Sequence, residues 1–303
     1  MGTPHFAVPT LRALAESRHQ LLAVVTNPDR RKGRGRQLAS PPVKEQALEL
    51  GFQVFQPAST KDPQLAEALR DLAPDLFVVV AFSILPRRLL AIPRLGSVNL
   101  HPSLLPAYRG AAPIIWAVVN GENETGISTF RLNPRVDAGD ILLQRRFAIG
   151  KHETGGELEA RLCLEGATMM VETLDGLEDG QITGRAQEAQ GVTRAPKLVK
   201  EDGVIDWSQP AEEIRNLVRG MNPVPGAFTQ WQSQPFKIHR AQHAEGSAPP
   251  GTVLSADDRQ GLVVACGTGA LLLDNVQPAG KAAMEGTDFV RGYPIEVGAL
   301  LGA

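Results

Sequence analysis

The run Leu76-Phe77-Val78-Val79-Val80-Ala81 is apolar without interruption, and it restricts the fold more than any other stretch of the chain. A strand with one face in water alternates apolar and polar residues. An unbroken run is buried on both faces, as in a parallel sheet held between helices. Leu21-Leu22-Ala23-Val24-Val25 and Val98-Asn99-Leu100-His101 read as further short strands, and Pro41-Pro42-Val43-Lys44-Glu45-Gln46-Ala47-Leu48 carries prolines suited to a helix start. From Pro9 to about Gly180 strands and helices therefore alternate, which predicts an open α/β sheet with helices on both faces. Ligands of such sheets bind beyond the carboxyl ends of the strands.

At 303 residues the chain exceeds the usual single-domain range, so a second, smaller domain is expected. The polar segment from Gln187 to Asp202, with Arg194, Lys197 and Lys200, reads as a linker. Beyond it, Ser208-Gln209-Pro210-Ala211-Glu212-Glu213-Ile214 has a capping residue, an early proline and acids in a first turn, which predicts a helix to Arg219. The rest alternates short apolar stretches with Gly, Pro and Asp turns, as in a small barrel; an OB-like barrel is one candidate. Cys163 and Cys266 lie far apart with no His or Cys at ligand spacing, against a disulfide framework or a zinc site. No run approaches the roughly 18 apolar residues of a membrane span, and the N-terminus has no signal pattern, so a cytoplasmic protein is expected.

Two polar groups stand out in Asn99-Leu100-His101, because residues two apart on a strand project from one face. At the carboxyl end of a strand they open onto the ligand crevice; elsewhere they read as a satisfied core histidine beside a turn asparagine. Asp137-Ala138-Gly139-Asp140 reads locally as a turn and offers too few oxygens for a calcium loop. The run Arg30-Arg31-Lys32-Gly33-Arg34-Gly35-Arg36 cannot bury itself and is expected to be a mobile loop. It is either a solvated surface or an arm that contacts phosphates, and since no aromatic residue interrupts it, base stacking there is not indicated. A net charge of -2 by itself points to no polyanionic partner.

Taken together, Gly2-Thr3-Pro4, Asn99-Leu100-His101-Pro102-Ser103-Leu104-Leu105-Pro106, Arg109-Gly110-Ala111-Ala112-Pro113-Ile114, Asp137-Ala138-Gly139-Asp140, Ile205-Asp206-Trp207-Ser208 and Gln277-Pro278-Ala279-Gly280-Lys281 resemble the folate-dependent formyltransferases. The similarity is greatest to the members that formylate methionine esterified to initiator tRNA. It implies a Rossmann-like catalytic domain over residues 1–186, a linker over 187–203 and an OB-like domain over 204–303 that helps to hold tRNA. It also implies a catalytic trio of Asn99, His101 and Asp137, and a folate pocket bordered by Ser103, Leu104, Leu105 and Pro106 and by Phe82, Ser83 and Ile84. The basic residues Arg30, Arg31, Lys32, Arg34 and Arg36 match the segment that enters the acceptor stem. The formyl donor is then 10-formyltetrahydrofolate, no metal is needed, and a monomer is expected. In this scheme the Asn99 amide and an N–H of His101 stabilise the oxyanion, while Asp137 orients the imidazole. An amino sugar nucleotide as acceptor is the nearest alternative, a purine-pathway acceptor would not need the second domain, and a tRNA-binding protein without catalysis would not need the trio. From residue 204 onward seven Lys or Arg face ten Asp or Glu, a net charge of -3, so any tRNA contact there relies on a local patch or on polar groups.

The resemblance also raises an expectation about the start. A turn such as Gly2-Thr3-Pro4 follows a strand in the family pattern, and the chain has no room for one before it. Met1 is therefore expected not to be the natural start, with about five to eight residues rich in Val, Ile, Leu or Phe upstream.

Overall fold

The computed structural model describes residues 1–32 and 37–302. They form two compact units. The first comprises residues 1–110, 125–147 and 159–194, and the second residues 111–124, 148–158 and 195–303.

In the first unit, β1 (Val24–Val25) pairs in parallel with β4 (Val54–Phe55), and β5 (Phe77–Val80) pairs in parallel with β6 (Ser97–His101). The short pair β2 (Arg30–Lys32) and β3 (Gln37–Ala39) is a hairpin beside them. Met1 and Gly2 join the two parallel pairs: Gly2 donates to the carbonyl of Val25, and Val80 donates to that of Met1. β6 continues antiparallel to β8 (Glu124–Arg131), which neighbours β9 (Ile141–Ala148), so the sheet is mixed. The short β7 (Arg109–Gly110) lies outside it. The helices are α1 (Val8–Glu16), α2 (Pro42–Glu49), α3 (Pro63–Asp71), α4 (Arg87–Leu90) and α6 (Gly155–Glu178), the last beginning in the second unit; α5 (Pro113–Val119) belongs wholly to the second unit. α3 starts where the Asp62 carboxylate accepts from the N–H of Gln64. Its Leu65, Ala66 and Leu69 pack with Phe77 and Val79 of β5, as the unbroken apolar run predicts.

In the second unit, β11 (Ala227–Trp231), β12 (Gln234–Ala244), β15 (Ala270–Pro278), β14 (Gly261–Ala265) and β13 (Val253–Asp257) pair in that order, with β16 (Met284–Glu285) beside β15. Among the described residues the edge strands β11 and β13 do not pair with each other, so the path is open. The predicted helix is present as α7 (Ala211–Met221), whose Ile214, Val218 and Met221 fall on one stripe and are buried with Phe236, Ile238 and Phe289, the last from α8 (Gly286–Gly292).

Three expectations change. Only Val24 and Val25 of the run 21–25 form a strand. The segment read as a linker contains β10 (Arg194–Ala195) and a 3-10 turn (Lys200–Gly203). The basic run is not a mobile loop throughout, because Arg30–Lys32 are laddered to Gln37–Ala39 and Arg30 and Arg31 are exposed on that hairpin. Arg34 and Arg36 lie outside the described residues.

Candidate functional site

Strand β6 carries Asn99 and His101 to the carboxyl end of the sheet. The Asn99 amide donates to the carbonyl of Val79 on β5 at 3.0 Å. That bond fixes the side chain and uses one of its two amide hydrogens.

His101 is buried, with 6% of its side chain exposed. Its Nε2 lies 2.9 Å from the carbonyl oxygen of Tyr108. A carbonyl only accepts, so Nε2 bears the proton, and in the neutral ring Nδ1 carries a lone pair. Burial pushes the imidazole pKa below its ordinary value, opposed by the Asp137 carboxylate and by the Tyr108 carbonyl. The neutral ring is thus the resting form near pH 7. Nδ1 faces Asp137 Oδ2 across 3.9 Å, too far for a hydrogen bond. This corrects the expected role of His101: its free nitrogen has no hydrogen to give an oxyanion until it has first accepted one.

Asp137 is held by its backbone. Its φ is +48°, in the left-handed region where Asp is tolerated, and its Oδ2 accepts from the N–H of Gly110 at 2.8 Å. Two residues on, a Cβ at Gly139 would lie 1.6 Å from the carbonyl oxygen of Arg131. Only glycine fits there. The Gln187 amide donates to the carbonyls of Asp137 (2.9 Å) and Gly139 (2.8 Å), and its own oxygen accepts from Nε (3.1 Å) and Nη2 (2.6 Å) of Arg109. Sequence reasoning missed Tyr108 and Gln187 as parts of the site. A backbone carbonyl leaves no trace in residue type, and Gln187 was assigned to the linker.

The two stretches read as folate borders leave the ends of adjacent parallel strands, β5 and β6. Ser103 and Leu105 are buried. The Ser103 hydroxyl donates to the carbonyl of Ala107 at 2.7 Å, and its carbonyl accepts from Ser128. These two residues shape the turn, while Leu104 and Pro106 keep partial exposure. In the other loop Ser83 is exposed, Phe82 half-buried and Ile84 75% exposed. An apolar side chain that open, in a loop after the strand that pairs with β6, is available to a flat ring ligand.

Among the described residues no cluster of metal-ligating groups lies at this site; the single cluster, His19, Asp175 and Glu178, is elsewhere in the first unit. No helix among them is long and apolar enough to cross a membrane.

Comparison with known proteins gives a consistent picture. The family model described as "Formyl transferase" matches residues 1–174, and "Formyl transferase, C-terminal domain" matches residues 197–294. The methionyl-tRNA formyltransferase of Citrifermentans bemidjiense is 48% identical over 303 residues, covering 100% of this chain and 95% of the relative. That of Moorella thermoacetica is 47% identical over 305 residues, covering 100% and 98%. Among solved structures, the sugar 3N-formyl transferase WlaRD, crystallised with dTDP and 5-N-formyl-THF, superposes with a TM-score of 0.67 at 17% identity, over 93% of this chain and 97% of that one. At that identity the likeness speaks for the fold alone.

Proposed function

This chain belongs to the formyl transferase family, and from that premise we infer that it transfers the formyl group of 10-formyltetrahydrofolate to the α-amino group of methionyl-initiator tRNA in translation initiation. The observation that carries the chemistry is the buried imidazole whose lone-pair nitrogen faces a carboxylate across 3.9 Å. Two acceptors with a gap between them suit a group that brings hydrogens, such as an amine.

Asn99, His101 and Asp137 are the catalytic residues in this reading. The amine enters the gap, its nitrogen attacks the formyl carbon, and one proton passes to His101 Nδ1. The second amide hydrogen of Asn99 stabilises the oxyanion. Asp137 stabilises the imidazolium that has just formed. The tetrahedral intermediate collapses with cleavage of the bond to the folate nitrogen, and His101 returns its proton to that nitrogen, so protons and electrons balance. Leu104, Pro106, Phe82, Ser83 and Ile84 border the folate, with Ser103 and Leu105 holding the turn beneath it.

Functionally the chain divides into a catalytic domain over residues 1–186, a linker over 187–203 and a tRNA-holding domain over 204–303. The antiparallel sheet with a helix over its core supports reading the last as OB-like. Arg30, Arg31 and Lys32, with Arg34 and Arg36, contact the acceptor-stem phosphates. The enzyme works as a cytoplasmic monomer. Formyl transfer from 10-formyltetrahydrofolate to methionyl-initiator tRNA, methionyl-elongator tRNA and an amino sugar nucleotide tests the assignment. Rapid transfer to the initiator species alone is expected, and preference for the sugar nucleotide overturns it.

A further inference from the structure

Arg215 and Arg219 stand four residues apart on α7, so they share one face of the helix, beside the stripe of Ile214, Val218 and Met221 that enters the core. Both arginines are buried, with 5% and 8% exposure. With His239 and Arg240 of β12, and with His152 and Thr154, they line a cavity of about 250 Å³ within the second unit. Drug-sized ligands occupy pockets of about 300 Å³ and more, so this one suits a small polar guest.

The cations around this cavity are not equally answered. Arg215 donates from Nε (3.2 Å) and Nη2 (2.7 Å) to the two carboxylate oxygens of Glu212, and these bonds lead in pushing the Glu212 pKa down to about 2. Arg240 pairs with Glu157 at 3.2 Å. Arg219 has only neutral acceptors: Asn216 Oδ1 lies 2.8 Å from its Nε, and the carbonyls of Glu153 and Gly150 lie 3.2 and 3.4 Å from its Nη1. Among the described residues its Nη2 has no hydrogen-bond partner, yet it is not sealed from solvent, so both its hydrogens are available to a guest. The single carboxylate on the lining, Asp274, accepts from the Gln242 amide at 3.2 Å, and burial pushes its pKa up. An arginine buried this deeply without an anion is costly. Burial, and after it the charge of Arg215, push the Arg219 pKa down against the opposing carboxylates of Glu212 and Glu153.

We propose that this cavity binds one phosphate group, with the Arg219 guanidinium as its principal counterion and His152 and Arg240 beside it. A carboxylate is best held by two parallel N–H groups of one arginine, and Arg219 has already given Nε and Nη1 to the protein. Donors on α7, on β12 and in the segment that carries His152 come from three separate parts of the chain, which suits a tetrahedral anion that accepts on several sides. From residue 204 onward acids outnumber bases, so that stretch has no general attraction for anions, and affinity for phosphate there comes from a local cluster of this kind. Free phosphate and an RNA phosphodiester offer the same chemistry. The site is independent of which amine is formylated at the end of β6.

The test is calorimetric titration of the full chain with inorganic phosphate at constant ionic strength. Saturable binding at a single site is expected, weakened at least about tenfold by Arg219→Met and about threefold by His152→Ala. Arg219→Met also removes two bonds to backbone carbonyls, so His152→Ala, at an exposed position, decides the matter if that variant fails to fold. Joint exchange of Arg30 and Arg31 for Glu should leave phosphate binding unchanged, which separates the cavity from the basic hairpin. Absence of saturable binding, full affinity in His152→Ala, loss of binding in the hairpin variant, or equal affinity for acetate overturns the proposal. A short RNA duplex that displaces the bound phosphate identifies a phosphodiester as the guest, and failure to displace it identifies the free anion.

Discussion

Replacing Asp137 with Asn tests whether the carboxylate acts through its charge. The two side chains have the same shape, and the amide oxygen of Asn can still accept from the N–H of Gly110, now 2.8 Å from Asp137 Oδ2. What disappears is a negative charge 3.9 Å from His101 Nδ1. While the imidazole holds the proton taken from the amine, that pair is worth about 4 kcal/mol at an effective dielectric constant near 20. Both side chains are mostly buried, at 6% and 16% exposure, so little solvent screening reduces the figure. A loss of roughly 10³-fold in the rate of the chemical step follows, against about tenfold for one ordinary hydrogen bond. The assay is single-turnover formyl transfer with saturating folate donor, alongside thermal unfolding. Tm should stay within about 3 °C, since the backbone clamp remains. The acidic limb of the rate profile should also move to lower pH, because the carboxylate raises the His101 pKa against the lowering effect of burial. A rate loss below tenfold, or a limb that stays in place, would refute the charge argument.

Gln187→Ala removes both bonds that pin the carbonyls of Asp137 and Gly139; kcat should fall by about 10- to 100-fold with the KM for folate unchanged, and a matching rise in KM would point to the pocket instead. Exchanging Arg30 and Arg31 for Glu should weaken tRNA binding and flatten its dependence on salt while folate binding survives; an unchanged salt slope returns the hairpin to a solvated surface. For the chain beginning at Met1, stability should rise with pH between about 5 and 8, because over that range the unfolded amine, with its ordinary value of 8.0, holds a proton that the folded amine, at about 5, does not. A difference of that size is worth about 4 kcal/mol, and urea midpoints across the range should lose the trend once the amine is acetylated.

Much of the sheet was legible because burial on two faces leaves an unmistakable pattern in residues 76–81, and the two-residue period that puts Asn99 and His101 on one side is that of the strand they occupy. The short β1 is harder to read: residues 21–23 are apolar enough for a strand, but a ladder needs a partner, and β4 pairs only with Val24 and Val25. The open or closed state of the C-terminal sheet was beyond reach for a related reason. Each strand announces itself locally, whereas closure depends on whether the first and last strands meet. The reading of His101 as an oxyanion donor failed on the tautomer, which is decided by a Tyr108 carbonyl seven positions away.

The stretch 137–140 shows why local and functional readings need not compete. Its composition called for a turn, and a turn is what forms: Asp137 takes a left-handed φ, and Gly139 passes against the Arg131 carbonyl where no side chain fits. That same turn aims the carboxylate at His101 and exposes two carbonyls to Gln187. Gln187, held in turn by Arg109, ties the position of Asp137 to the residue directly before Gly110, whose N–H already holds the carboxylate. The carboxylate is thus fixed through its own oxygen and through its backbone by the same two-residue strand, β7, so a shift of that strand would move Asp137 relative to His101. Turn chemistry supplies the aim, and the clamp from β7 supplies the rigidity that the proposed seating of an amine between Asp137 and His101 requires.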